Sequence, residues 1–235
     1  MPKITREKFK VYEGVFDNFT IKNLIALMKK GIVSEGTLSP VKIGKEANVF
    51  SGENDLGEKL ILKIYRLETA NFNRMYEYIR TDPRFVGLLH NRRRVIFAWV
   101  QREYRNLIVA EKANIPAPRP IKALFNILAM SFIGDNSPAP MLKDAPPRRP
   151  REFLNRIVRA MRNLYRQGYV HGDLSKFNIL NYNQKPVLID FSHATPNTNP
   201  IFKQLLERDA RVISEDFREF GVDLSMQEIL RRVIK

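Results

Sequence analysis

Apolar residues along the chain change period several times, and each change marks an element. Near the N-terminus Leu24, Leu27 and Met28 form a short helical stripe, with Thr20 as the predicted N-cap and Gly31 placed to end the helix. Over residues 41–65 the pattern shortens to β-like runs. Val49-Phe50 and Leu60-Ile61-Leu62-Lys63-Ile64-Tyr65 flank Asn54-Asp55-Leu56-Gly57, turn residues that predict a hairpin. Residues 68–94 are polar, basic and aromatic without a clear period, which predicts a loop.

A strong helical pattern covers 95–113 and stops before Pro116, Pro118 and Pro120, which force an extended connection. Strand-like runs follow at 121–125 and 127–133, closed by Gly134. Five prolines (138, 140, 146, 147 and 150) then mark a boundary between two lobes. Beyond it, Leu154, Ile157, Val158, Met161, Leu164 and Tyr165 recur at helical spacing over 151–167, and Gly168 ends the run. Two short β-like pieces, 178–181 and 187–189, precede a helical C-terminal stretch. The expected organisation is an N-terminal helical extension (1–40), a β-rich N-lobe with one long helix (41–134) and a reduced, mainly helical C-lobe (135–235), an α+β fold.

Composition narrows the class. Hydrophobic residues make up 44% of the chain and charged ones 28%, as in globular proteins. No apolar run approaches the roughly 18–20 residues that cross a bilayer, and the opening MPKITREKFK lacks the apolar core of a signal peptide. The expectation is a cytoplasmic protein with no membrane partner. Zero cysteines exclude disulfides, thiolate catalysis and Cys-ligated zinc, and three scattered histidines argue against a His-only metal site. The 40 Lys and Arg against 25 Asp and Glu give a formal charge of +15, which points to an anionic partner, most often nucleic acid. Part of that charge lies on the 151–167 helix, as Arg156, Arg159, Arg162 and Arg166, with Arg148 and Arg149 just before it.

The most informative stretch is His171-Gly172-Asp173-Leu174-Ser175-Lys176-Phe177-Asn178, followed by Asp190 at the end of the run Pro186-Val187-Leu188-Ile189. An H-x-D-x-x-x-x-N and I-D arrangement is that of kinase-like folds. Phosphoryl transfer needs a carboxylate beside the attacking hydroxyl, here Asp173, and hard oxygen ligands for Mg²⁺ against the phosphates, here Asn178 and Asp190. Any one of the three alone is an ordinary turn residue; the spacing of all three makes the case. Upstream, Lys63 interrupts an apolar strand, and Glu103 shares a helical face with Ile96, Val100, Leu107 and Ala110. A desolvated ammonium and a desolvated carboxylate each need a partner, so a Lys63–Glu103 pair is predicted, with the lysine free to orient phosphates.

A glycine-rich loop is missing. In its place stands Gly44-Lys45-Glu46-Ala47-Asn48-Val49, and this segment resembles the RIO kinases. So do the helix segment Arg102-Glu103-Tyr104-Arg105-Asn106-Leu107, Ile115-Pro116-Ala117-Pro118-Arg119-Pro120-Ile121 and Met130-Ser131-Phe132-Ile133-Gly134. The resemblance continues through His171-Gly172-Asp173-Leu174-Ser175, Ile189-Asp190-Phe191-Ser192 and Arg208-Asp209. Lys45-Glu46-Ala47-Asn48 is similar to the type-1 branch, and the short stretch before the kinase core is too small for the winged-helix domain of type 2.

The resemblance implies a bilobal protein-kinase-like fold, an ATP-dependent atypical serine/threonine kinase or ATPase, and Mg²⁺ (or Mn²⁺) as cofactor. It assigns Asp173 as catalytic aspartate, Asn178 and Asp190 as metal ligands and Lys63 as phosphate-contacting lysine. Adenine would lie on the backbone of Ser131 and Ile133, with Gly44, Lys45 and Glu46 over the triphosphate. It further implies action in small ribosomal subunit maturation, through pre-ribosomal RNA or protein, and autophosphorylation in the 68–94 segment, where Thr69 and Thr81 are the non-phenolic hydroxyls. His193 stands where the family more often has Gln, and reads as a packing residue. No A-P-E occurs after Asp190, so a conventional peptide-docking lobe is not expected. Two alternatives remain at this level: a small-molecule kinase of the aminoglycoside or choline type, disfavoured by the basic C-terminal half, and a catalytically silent RNA-binding scaffold, disfavoured by the intact metal and lysine positions.

Overall fold

The computed structural model describes residues 16–68, 72–85, 87 and 91–235. The first helix, α1 (Asn18–Met28), precedes a five-stranded antiparallel sheet of β1 (Ser39–Ile43), β2 (Ala47–Glu53), β3 (Lys59–Tyr65), β4 (Pro120–Leu124) and β5 (Ile127–Ser131), in the order β1-β2-β3-β5-β4. Between β3 and β4 lie α2 (Phe72–Arg80) and the long α3 (Arg92–Lys112). The second lobe holds α4 (Pro150–Arg166), the small pairs β6 (Tyr169–Val170) with β9 (Thr195–Pro196) and β7 (Ile179–Tyr182) with β8 (Lys185–Leu188), then α5 (Phe202–Arg218) and α6 (Met226–Ile234). Among the described residues no helix is long and apolar enough to cross a membrane.

Period-2 alternation in β3 places the site. Leu60, Leu62 and Ile64 point to one face and pack with Leu24, Leu27 and Met28 of α1. Ile61, Lys63 and Tyr65 therefore face the other way, toward α3 and the second lobe, and Ile61 and Tyr65 join the larger core cluster there. A one-residue slip would bury Lys63 under α1 and turn Leu60, Leu62 and Ile64 away from it, so burial itself fixes the register that presents Lys63 to α3 and the second lobe.

Two expectations are corrected. Asp17, not Thr20, caps α1: its carboxylate accepts from Phe19 N–H at 2.9 Å and Thr20 N–H at 3.0 Å. Thr20 is buried inside the first turn and hydrogen-bonds Asp17 through its hydroxyl at 2.9 Å. The 68–94 segment is not simply a loop. It contains α2, because Phe72, Met75, Tyr76 and Ile79 fall at i, i+3, i+4 and i+7 and give one apolar face against α3. Polar and charged residues interleave that stripe and hide the period.

Other elements form where the pattern places them, with shifts of one to three residues at the ends. The Asn54–Gly57 turn closes the β2–β3 hairpin, with Gly57 at φ 78° and its N–H donating to Asn54 O at 2.9 Å. The α3 helix begins earlier than predicted, capped by the Asn91 side chain, which accepts from Arg94 N–H at 3.2 Å. At the end of β5, Gly134 (φ 148°) turns the chain into the second lobe, and a Cβ there would lie 2.2 Å from Ser137 O.

Candidate active site

The site assembles from the middle of β3, the buried face of α3 and the loops that flank the β7–β8 hairpin. Lys63 pairs in register with Val49 of β2 and Leu128 of β5, which holds its backbone on both sides. Its ammonium lies 2.9 Å from Glu103 Oε1 and 2.9 Å from Asp190 Oδ1. The predicted Lys63–Glu103 pair is thus formed, and Asp190 joins it from the second lobe. Tyr65, two residues along the same strand face, donates its hydroxyl to Glu103 Oε2. Glu103 is 2% exposed at its side chain, so both its oxygens are satisfied by protein rather than by water.

Electrostatics follow from these contacts. Burial works against a charged Lys63, yet the Asp190 and Glu103 carboxylates offset it and hold the ammonium well above an ordinary lysine. Burial raises Glu103, and the Lys63 ammonium pulls it back only in part. Burial would raise Asp190 as well, but Lys63 and the Ser192 hydroxyl, which donates to Asp190 Oδ1 at 2.7 Å, hold it far below the usual carboxylate range. Asp190 itself takes a left-handed backbone conformation (φ 62°, ψ 64°), uncommon for a residue with a Cβ, two residues past Leu188, where β8 ends.

Asn178 immediately precedes β7, and its carbonyl accepts Ile189 N–H at 3.0 Å, so the hairpin sets Asn178 beside the residue before Asp190. The Asn178 Nδ2 donates to Asp173 O at 2.7 Å and to Asp173 Oδ2 at 3.0 Å. That orientation leaves Asn178 Oδ1, with Asp190 Oδ2, free of protein hydrogen bonds among the described residues: two hard oxygens of the kind that hold Mg²⁺. Among the same residues no group of three or more His, Asp or Glu forms a complete metal site. The loop is anchored from below by α5. Asp209 accepts Gly172 N–H at 2.7 Å and Leu174 N–H at 3.0 Å, and its burial pushes it up to about 7 despite those bonds. His171 is buried, and its Nε2–H donates to Ile189 O at 3.1 Å, which fixes the tautomer and ties the Asp173 loop to the strand leading to Asp190.

Ser131 ends β5, and Ile133 follows two residues later, just before Gly134. Ser131 N–H is taken by Arg119 O at 2.8 Å, whereas the Ile133 carbonyl accepts Ala139 N–H at 2.9 Å and its own N–H has no protein partner among the described residues. Gly44, Lys45 and Glu46 form the β1–β2 turn. A Cβ at Gly44 would stand 2.7 Å from Ala47 O, so that close backbone approach requires glycine.

Further residues, to which the sequence pattern assigns no role, hold the site together. Arg102, fully buried, donates through Nε to Asp82 Oδ2 at 3.0 Å, through Nη2 to Thr195 Oγ1 at 2.9 Å and through Nη1 to Ser192 O. Asn106 donates to Phe191 O at 2.8 Å and Ala194 O at 2.9 Å. Asp82 binds Arg84 as well, at 2.6 Å. The helix that carries Glu103 is thereby bonded to the segment just after Asp190. A polar residue three positions from Glu103 on a buried face is the available sign for Asn106. His193 packs edge-on against Tyr78 (centroids 4.9 Å apart) and Trp99 (5.2 Å), and burial pushes it down to about 4, consistent with a neutral packing ring.

Residues 48–229 match the family described as RIO domain. A protein from Haloferax volcanii named RIO-type serine/threonine-protein kinase Rio1 is 34% identical over 218 residues, 92% of this chain and 75% of its own. Its namesake from Methanocaldococcus jannaschii is 36% identical over 229 residues, 97% and 78% of the two chains. Human serine/threonine-protein kinase RIO1 is 33% identical over 218 residues, 89% of this chain and 38% of its own. In fold, the chain is similar to the Rio2 kinase–ADP/Mg²⁺–phosphoaspartate complex from Chaetomium thermophilum, with TM-score 0.67 and 19% identity over 91% of this chain and 66% of that one.

Proposed function

The chain belongs to the RIO family of serine/threonine kinases, and from that premise we propose that it binds ATP with Mg²⁺ in the cleft between its lobes and transfers the γ-phosphoryl group to a hydroxyl or to water. The observation that carries this reading is the position of Lys63, 2.9 Å from both Glu103 and Asp190. A strand lysine held by a helix carboxylate and by a carboxylate of the other lobe is oriented for phosphates and keeps its charge when desolvated.

In this reading Asp173 receives the proton of the attacking oxygen, and Asn178 Oδ1 and Asp190 supply metal oxygens. The Ile133 N–H and the Ser131 carbonyl meet adenine, while the turn at Gly44, Lys45 and Glu46 covers the phosphates. Mg²⁺, when bound, neutralises charge on the phosphate oxygens; Mn²⁺ has the same preference for oxygen donors. Family membership displaces the aminoglycoside- and choline-kinase reading. The partner is the small ribosomal subunit precursor in the cytoplasm, engaged through the basic surface. Autophosphorylation in the 68–94 segment accompanies turnover: Thr69 lies outside the described residues, and the Thr81 hydroxyl is engaged by Asn199 Nδ2 at 2.9 Å.

The test is ATP turnover by Asp173→Asn alongside nucleotide binding. Loss of phosphate release with ATP binding retained is the expected result. Unchanged release removes Asp173 from the chemistry, and no ATP binding by the unaltered protein in Mg²⁺ favours the silent scaffold.

A further inference from the structure

The Asp173 loop already has its backbone anchor in Asp209, which takes the N–H groups of Gly172 and Leu174. The preceding residue of α5 adds a second set of contacts to the same loop. Arg208 donates through Nη1 to Gly172 O at 2.8 Å and through Nη2 to Asp173 Oδ1 at 2.8 Å. With side chains 40% and 26% exposed, this ion pair contributes little to folding, since partly exposed pairs are screened by water. Its consequence is geometric. Asp173 Oδ2 accepts Asn178 Nδ2 at 3.0 Å, so the carboxylate is held at both oxygens, by α5 on one side and by the metal-binding asparagine on the other.

We propose that Arg208 is a positioning residue for phosphoryl transfer, its guanidinium spanning the Gly172 carbonyl and the Asp173 carboxylate so that Asp173 keeps one fixed orientation toward the attacking oxygen. This rests on the reading of Asp173 as the proton acceptor. In that step the attacking oxygen bonds the γ-phosphorus and its proton passes to Asp173. The bond to the β–γ bridging oxygen breaks, and its electron pair leaves with ADP. A carboxylate free to rotate about its χ angles would meet the attacking oxygen in only a fraction of encounters, whereas one clamped at two points is pre-oriented. The planar fork of arginine reaches two acceptors at once; a lysine ammonium is a point charge on a flexible stem.

The experiment measures steady-state ATP turnover of full-length Arg208→Met and Arg208→Lys against ATP and against Mg²⁺, with Asp173→Asn and a thermal melt alongside. Expected is a fall in kcat of about 100-fold for R208M, with KM for ATP and half-saturation by Mg²⁺ held within about twofold and little recovery in R208K. Unchanged kcat overturns the proposal. So does a fall in kcat matched by weakened ATP and Mg²⁺ saturation, which would mean that the loop, Asn178 included, has lost its structure. Full activity in R208K also overturns it, and decides the matter alone should R208M fail to melt cooperatively. A fully active Asp173→Asn would instead refute the reading beneath it, whatever Arg208 does.

Discussion

Lys63 and Asp190 meet at 2.9 Å although 127 positions separate them in the chain, one in a strand of the first lobe and the other just past a hairpin of the second. Glu103 completes the contact at the same distance from the ammonium. The ammonium lies between two carboxylates, and removing it leaves those two carboxylates near each other without a cation.

Lys63→Met places an apolar chain of similar length there and leaves Glu103 buried beside Asp190 without its cation. Stability is expected to fall by about 3 kcal/mol, in the range for breaking a buried pair, and ATP turnover to be lost. The double variant K63M/E103Q should recover part of that stability, because the uncompensated carboxylate is gone. A urea-unfolding double-mutant cycle measures the coupling, expected at about 1–3 kcal/mol; independent effects of the two substitutions would refute the coupled unit.

Asp82 and Arg102 make a second, fully buried pair, 3.0 Å apart, and the same Arg102 guanidinium ties α3 to the segment after Asp190 through Ser192 O and Thr195 Oγ1. Burial alone would raise Asp82, but the Arg84 and Arg102 guanidiniums outweigh it and hold the carboxyl below its ordinary 3.8. A carboxylate whose pKa is depressed in the folded state contributes stability above its unfolded pKa, and that contribution is lost as pH falls through the folded value. Stability should therefore drop below about pH 4. Asp82→Asn should cost about 3–5 kcal/mol at neutral pH and flatten that part of the acid limb. Thermal melts from acid to neutral pH check both; an unchanged acid limb would assign the loss to other carboxylates.

The parts of this architecture that can be read from sequence share a physical cause. Lys63 and Glu103 stand out because each violates an apolar pattern, and a violated pattern asks for a partner. Asp173, Asn178 and Asp190 stand out because their spacing is set by one loop and one hairpin. Arg102 and Asn106 are less legible, since their partners include the backbone carbonyls of Phe191, Ser192 and Ala194, and carbonyls carry no sequence identity. The α2 helix is hidden for another reason. A nine-residue helix is marginal by itself, its apolar residues are interleaved with Asn73, Arg74, Glu77 and Arg80, and it is stabilised by α3, which no local pattern includes.

That origin of α2 makes it testable. Met75 and Ile79 are buried against α3, at 1% and 0% exposure. Ile79→Ala should therefore cost about 2–5 kcal/mol, the range for emptying a core position. In a solvated loop the same change would stay within about 0.5 kcal/mol. Chemical denaturation separates the two values, and a change at the lower figure would return residues 72–80 to a loop.

Part of the excess positive charge lies along α4. Along α4, Arg151, Arg156, Arg159 and Arg166 are exposed while Phe153, Leu154, Ile157, Val158, Ala160, Met161 and Leu164 are buried, so the apolar stripe turns the arginines outward. Arg148, Arg149, Arg156 and Lys185 line a groove between the start of α4 and the β7–β8 turn, with Glu152 as the acidic member. Arg156 and Arg159 are exposed on α4 and make no hydrogen bond or ion pair with Lys63, Asp173, Asn178 or Asp190 among the described residues, so reversing their charge should spare turnover. If small-subunit RNA is the partner, as proposed, Arg156→Glu with Arg159→Glu is expected to weaken that binding. For every phosphate no longer neutralised, the slope of log K against log salt should become shallower by about 0.7–0.9. A competition titration over rising salt, beside an ATPase assay on the same protein, reads both quantities. An unaltered slope would place the RNA on another face, and a parallel loss of ATPase would show that the two functions share residues.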